Sequence, residues 1–78
     1  MYKYYITIKN FISNLQELID SLELEGRFQN IPDLLLYKNK LENLKADFYN
    51  EDIPDSTLKE NFNQLENSIN NYLIENSL

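Results

Sequence analysis

The side chains of this chain that could do chemistry are carboxylates and phenols. It has thirteen aspartates and glutamates and six tyrosines, but no histidine and no cysteine. That inventory lacks the commonest general base and the commonest transition-metal ligand. It also lacks the thiolate, as nucleophile and as metal ligand, and any disulfide to support the core. A di-iron helical site needs Glu-x-x-His pairs, which cannot be assembled without histidine. The run Asp47-Phe48-Tyr49-Asn50-Glu51-Asp52 offers oxygen ligands, without the glycine and alternating acids of a calcium loop. A Gly-rich phosphate loop is excluded, since Gly26 is the one glycine. The expectation is therefore no enzyme, with no catalytic residue, metal or cofactor.

Phenols and carboxylates can still bind, and the elements that must position them are legible. In the first third, Met1, Tyr4, Ile8, Phe11, Leu15, Leu18 and Leu22 alternate steps of three and four. Tyr5, Ile12 and Ile19 widen that stripe to the breadth of a globular core face. Leu34, Tyr37, Leu41, Leu44 and Phe48 repeat the pattern, as do Leu58, Phe62, Leu65, Ile69 and Tyr72. Three amphipathic helices are predicted, at about 2–25, 33–50 and 55–75. Residues 2–8 are β-branched and aromatic and would also suit a strand. The helical register continues unbroken through Lys9 and Asn10, and so short a chain offers a strand no partner.

Connections this short make neighbouring helices antiparallel, so residues 1–78 are read as one all-α, antiparallel three-helix bundle. Gly26, just past the last seam leucine of the first helix, suits a left-handed cap. Phe28 and Ile31 are expected to close the open end of the core. Ile31-Pro32-Asp33 and Ile53-Pro54-Asp55 are the same helix-start tripeptide. Proline belongs in a first turn, aspartate meets the positive dipole end, and the isoleucine can act as a hydrophobic staple. Thr57 and Glu60 have the spacing of a capping box.

This topology carries the start of the first helix to the connection between the second and third. Tyr2, Tyr5 and Tyr49 then share one end with Glu51, Asp52 and Asp55, a candidate protein-binding face, because tyrosine gives rigid contact area with a polar tip. Ile6, Leu35, Leu36 and Ile74 fall off the seams and are the candidate self-association residues, with a homodimer as one outcome. Leu35 and Leu36 are expected to be covered if the middle helix touches both neighbours.

Net charge is −6, which repels phosphate backbones and argues against a nucleic-acid partner. Lys38, Lys40 and Lys45 lie among acids, and the third helix sets Lys59 against Glu60, Glu66 and Glu75. Another protein, more basic than this one, is the expected partner. No membrane role is expected, because no run of about 18 apolar residues occurs. Lys3 and Lys9 interrupt the apolar start, which makes a poor signal peptide, so a cytoplasmic location is expected. Asn, Ile, Lys, Tyr and Leu are frequent, with one alanine and no valine, a bias suggesting an AT-rich bacterium, phage or plasmid. In size, acidity and helicity the chain resembles the small helical inhibitors of bacterial conflict systems, such as bacteriocin immunity proteins. No motif carries that likeness, and no residue role transfers with it. The functional expectation is an inhibitor, immunity-type or regulatory binding protein; the alternative is a structural oligomer or small subunit held by apolar helix faces.

Overall fold

The computed structural model describes residues 2–78, with side chains from Lys3 onward. The seam position expected of Met1 and the side chain of Tyr2 lie outside the described residues. Three helices follow in order: α1 (Tyr2–Leu24), α2 (Ile31–Asp47) and α3 (Asp55–Glu75). α1 is helical from its start, which decides residues 2–8 against a strand. α2 packs against both α1 and α3, and the molecule is elongated, 42 × 19 × 18 Å. It is the expected antiparallel three-helix bundle.

The seams form the core. Ile8, Leu15, Ile19 and Leu22 of α1 are buried, with Leu34, Leu41 and Leu44 of α2 and Leu58, Phe62 and Ile69 of α3. Where α1 and α3 start, the Tyr4 ring meets Phe62 edge-on at 5.7 Å, an arrangement that suits the quadrupoles of both rings.

Two helix ends close with the same device. Gly26 has φ 72°; its N–H donates to Glu23 O at 3.1 Å, and that of Arg27 to Leu22 O at 2.8 Å. These two bonds make a Schellman cap and satisfy carbonyls that the helix leaves open. After α3 the same pair runs from Ser77 to Ile74 O at 3.2 Å and from Leu78 to Leu73 O at 2.8 Å. There a serine holds the left-handed position, at φ 56°, with the Cβ crowding that glycine avoids.

Several expectations need correction. Phe28 is 62% exposed and does not close the core; the Schellman turn points the chain outward there, and Ile31 is buried at that end, with Leu78 packed against the core. α2 starts at Ile31 rather than residue 33, because Asn30 already has helical angles (φ −95°, ψ −7°). It ends at Asp47 rather than residue 50, in a series of tight turns through Asn50. In α3 the tripeptide is placed differently: Pro54 is extended (φ −61°, ψ 146°) and is itself the cap. Ile53 and Leu58 therefore hold the staple positions, whereas Ile31 is the first residue of its helix. Thr57 falls inside α3, and no side-chain cap bond forms, so the Thr57–Glu60 box is not made. Leu35 and Leu36 stay 42% and 53% exposed, since the seam of α2 that both neighbours share runs through Leu34 and Leu41.

Two outcomes follow for urea unfolding. Gly26→Val should lose about 1–2 kcal/mol from the left-handed angle; a Cβ there meets nothing within 4 Å, so no clash adds to it. Phe28→Ala should leave stability within about 0.5 kcal/mol of the parent, as an exposed position does.

Candidate functional site

Each end of the bundle carries a polar arrangement anchored on tyrosine. At the first end, Tyr5 projects from the second turn of α1 and Tyr49 from the turn after α2. The Tyr49 hydroxyl donates to that of Tyr5 at 3.0 Å, and the rings meet edge-on at 5.8 Å and 78°. Lys9 Nζ stands 6.0 Å from the Tyr5 ring centroid, at the outer reach of a cation–π contact. Tyr49 is 72% exposed, so its ring is a surface fixed in place by a partner 44 residues away in the chain. Its phenol is held above the ordinary range, first because its proton is engaged by Tyr5 and second through local desolvation.

The acids expected beside this pair follow in the chain. Glu51 and Asp52 are exposed in the connection, and Asp55 is exposed in the first turn of α3. The Asn50 side chain accepts the Asp52 N–H at 3.0 Å, a local turn that shapes the loop. Among the described residues, no hydrogen bond or ion pair joins these three acids to the tyrosines. The structure thus brings Tyr5 and Tyr49 into contact and leaves Glu51, Asp52 and Asp55 as free charge on the same end.

At the opposite end four polar side chains are bonded to one another. Asn30 Nδ2 donates to the Tyr72 hydroxyl at 2.8 Å and to Asn76 Oδ1 at 3.2 Å. Tyr72 donates in turn to Asp33 Oδ2 at 3.0 Å, and Asn76 Nδ2 donates to Tyr72 O at 2.8 Å. The Tyr37 ring lies against that of Tyr72 at 5.4 Å. This network ties the start of α2 to the end of α3, and it explains why Asn30 makes no cap bond with its own helix. Desolvation is the main cause that raises the Tyr72 pKa, opposed by the Asn30 amide and assisted by Asp33. Midway along, Lys38 Nζ donates to Gln16 Oε1 at 2.6 Å and crosses from α2 to α1.

None of the four network residues was singled out as a site from the sequence. The signal was present in one respect: Tyr72 occupies a seam position, and a buried phenol on a seam needs a polar partner at the end of the core.

Among the self-association candidates, Leu35, Leu36 and Ile74 are exposed, Ile74 by 76%, and Ile6 is half-buried. Between α1 and α3 a groove of about 370 Å³ opens. Its floor is apolar, with Phe11, Leu15, Leu18 and Leu73, and its walls are Thr7, Asn10, Asn14 and Asn70. No helix of the described residues is long and apolar enough to cross a membrane. No protein-family model, curated protein or solved structure matches the chain.

Tyr72→Phe removes one donor and one acceptor from the closed network and should lose about 1–2 kcal/mol in urea unfolding. The raised Tyr72 pKa also sets a pH dependence. Above the ordinary phenol value of 10.0, the unfolded chain gives up this proton before the folded one. Stability contributed by the neutral phenol is therefore complete below that pH and falls as pH rises toward the folded pKa. Denaturation followed from pH 9 to 11 should show that decline in the parent and a smaller one in Tyr72→Phe.

Proposed function

We propose that this chain is a binding protein without chemistry of its own, which blocks or escorts a more basic protein through the end bearing Tyr5 and Tyr49. The observation that carries the reading is the Tyr5–Tyr49 pair, in which a largely exposed ring is held by a 3.0 Å hydrogen bond to a second helix. A large aromatic surface that is already fixed loses little rotamer freedom on docking, which is why tyrosine is frequent among residues that dominate interfaces. Glu51, Asp52 and Asp55 add negative charge to the same end and steer a basic partner toward it. An inhibitor or immunity-type role in an AT-rich bacterium, phage or plasmid, acting in the cytoplasm, is the form of this reading that composition supports best. Nucleic acid, lipid bilayers, metals and cofactors have no part in it.

A second reading has its own observation. Leu35 and Leu36 remain 42% and 53% exposed beside buried Leu34, and an apolar outer face on α2 would suit a structural oligomer or a small subunit of a larger assembly. Leu36→Glu separates the two readings: it should abolish assembly in the second and leave capture of a basic partner intact in the first.

The experiment is capture from the native host by the parent chain and by Tyr49→Ala, eluted with rising salt. A partner of pI above about 9 released at moderate salt is the expected result. Tyr49→Ala should lose it by roughly tenfold or more in affinity while unfolding in urea as the parent does. A neutral partner held equally well by both chains at high salt would contradict the reading.

A further inference from the structure

α1 is charged against its own dipole. Its lysines, Lys3 and Lys9, both fall in its first third, and Glu17, Asp20 and Glu23 all fall after its midpoint. No acid stands in its first turn and no base in its last, the reverse of what the aligned peptide dipoles favour. Part of this charge has internal partners, since Gln16 Nε2 donates to Asp20 Oδ1 at 2.9 Å on the side facing α2. The outward flank of α1, beside the groove it forms with α3, is different. Lys3, Asn10 and Glu17 are seven residues apart and lie along one line of the helix, all exposed. Among the described residues the one ion pair is Arg27 with Glu25, and neither Lys3 nor Glu17 has a charged partner among them. Asn10 is also a wall of the groove between α1 and α3, which no charged side chain lines.

We propose that a second copy of this chain covers that side, with the two α1 helices antiparallel about a two-fold axis at Asn10. Antiparallel pairing centred there sets Lys3 of each copy opposite Glu17 of the other, because both stand seven residues from the axis. It sets Asn10 opposite itself, and a carboxamide suits that position because it donates and accepts at once. Each α1 then meets the complementary charge that its own sequence lacks, and the neutral groove beside the line is the surface on which two copies of a −6 chain repel least. Identical patches that complement each other are the condition for a closed two-fold dimer. Tyr5, two residues beyond Lys3, points about 160° away around the helix, so the tyrosine end stays accessible in the dimer.

Charge reversal tests the pairing. Sedimentation equilibrium of the parent should give a mass that rises with concentration toward twice 9.3 kDa. Lys3→Glu and Glu17→Lys should each weaken the dimer by about tenfold, since each puts like charges together at two symmetric places. The double variant K3E/E17K should restore the parent's affinity. Lys3→Glu also places the favoured sign in the first turn of the helix and Glu17 is exposed, so the helical circular dichroism should stay at the parent's level in both, which separates loss of dimer from misfolding. Asn10→Cys should oxidise readily to a cross-linked dimer, whereas Asn39→Cys, on exposed α2 surface, should not. A parent that stays monomeric at millimolar concentration overturns the proposal. So does a dimer that ignores both charge reversals but is broken by Leu36→Glu, which would place the contact on α2.

Discussion

Both outer helices of this molecule are held by α2, and the burial of Leu34 and Leu41 is the interaction on which that depends. Each of these leucines is fully withdrawn from water, a transfer worth about 1.5–3 kcal/mol per side chain. α1 and α3 approach α2 along its length but meet each other sparingly, at Tyr4 and Phe62 near their starts. Farther along they separate, and the groove over Phe11, Leu18 and Leu73 is the result. A chain of 78 residues buries a small core, so a helix that serves two interfaces at once is the economical arrangement. The same arrangement leaves one side of α1 without a neighbour.

The two ends of the bundle differ in how their polar groups are satisfied. Asn30, Asp33, Tyr72 and Asn76 form a set of hydrogen bonds that fastens α2 to α3, so these side chains are engaged chiefly with one another. At the other end the Tyr5–Tyr49 pair uses one hydrogen bond to fix two rings and leaves an exposed ring and nearby acids facing solvent. The first end is a fastening and the second a prepared surface. That contrast, rather than net charge, gives the binding reading its location.

The helices were legible because apolar spacing of three and four is a local property of the chain, and it named every residue of the buried seams. The α3 bounds agree with the sequence reading residue for residue, and those of α2 do not, although both starts share Ile-Pro-Asp. What separates them is where the backbone turns helical: Asn30, ahead of the first tripeptide, already has helical angles, whereas Pro54, inside the second, stays extended. The Tyr5–Tyr49 meeting was legible from topology alone, since short connections force antiparallel neighbours. The Asn30–Tyr72 network was not, because topology brings the start of α2 to the end of α3 but no periodicity encodes which polar side chains bond there. Phe28 was misread for a related reason. An apolar residue in a loop reads as core, yet the backbone of the Gly26 cap decides which way the loop faces, and it faces water.

Native-state hydrogen exchange tests most directly whether α2 holds the bundle together. If it does, amides around Leu41 exchange only through global unfolding and are the slowest in the molecule, while the first turns of α1 open earlier at lower cost. The segments of α1 and α3 packed on α2 should then share one unfolding free energy with it. Faster exchange in the middle of α2 than in both outer helices would contradict the account, because it would mean that α1 and α3 hold together without it.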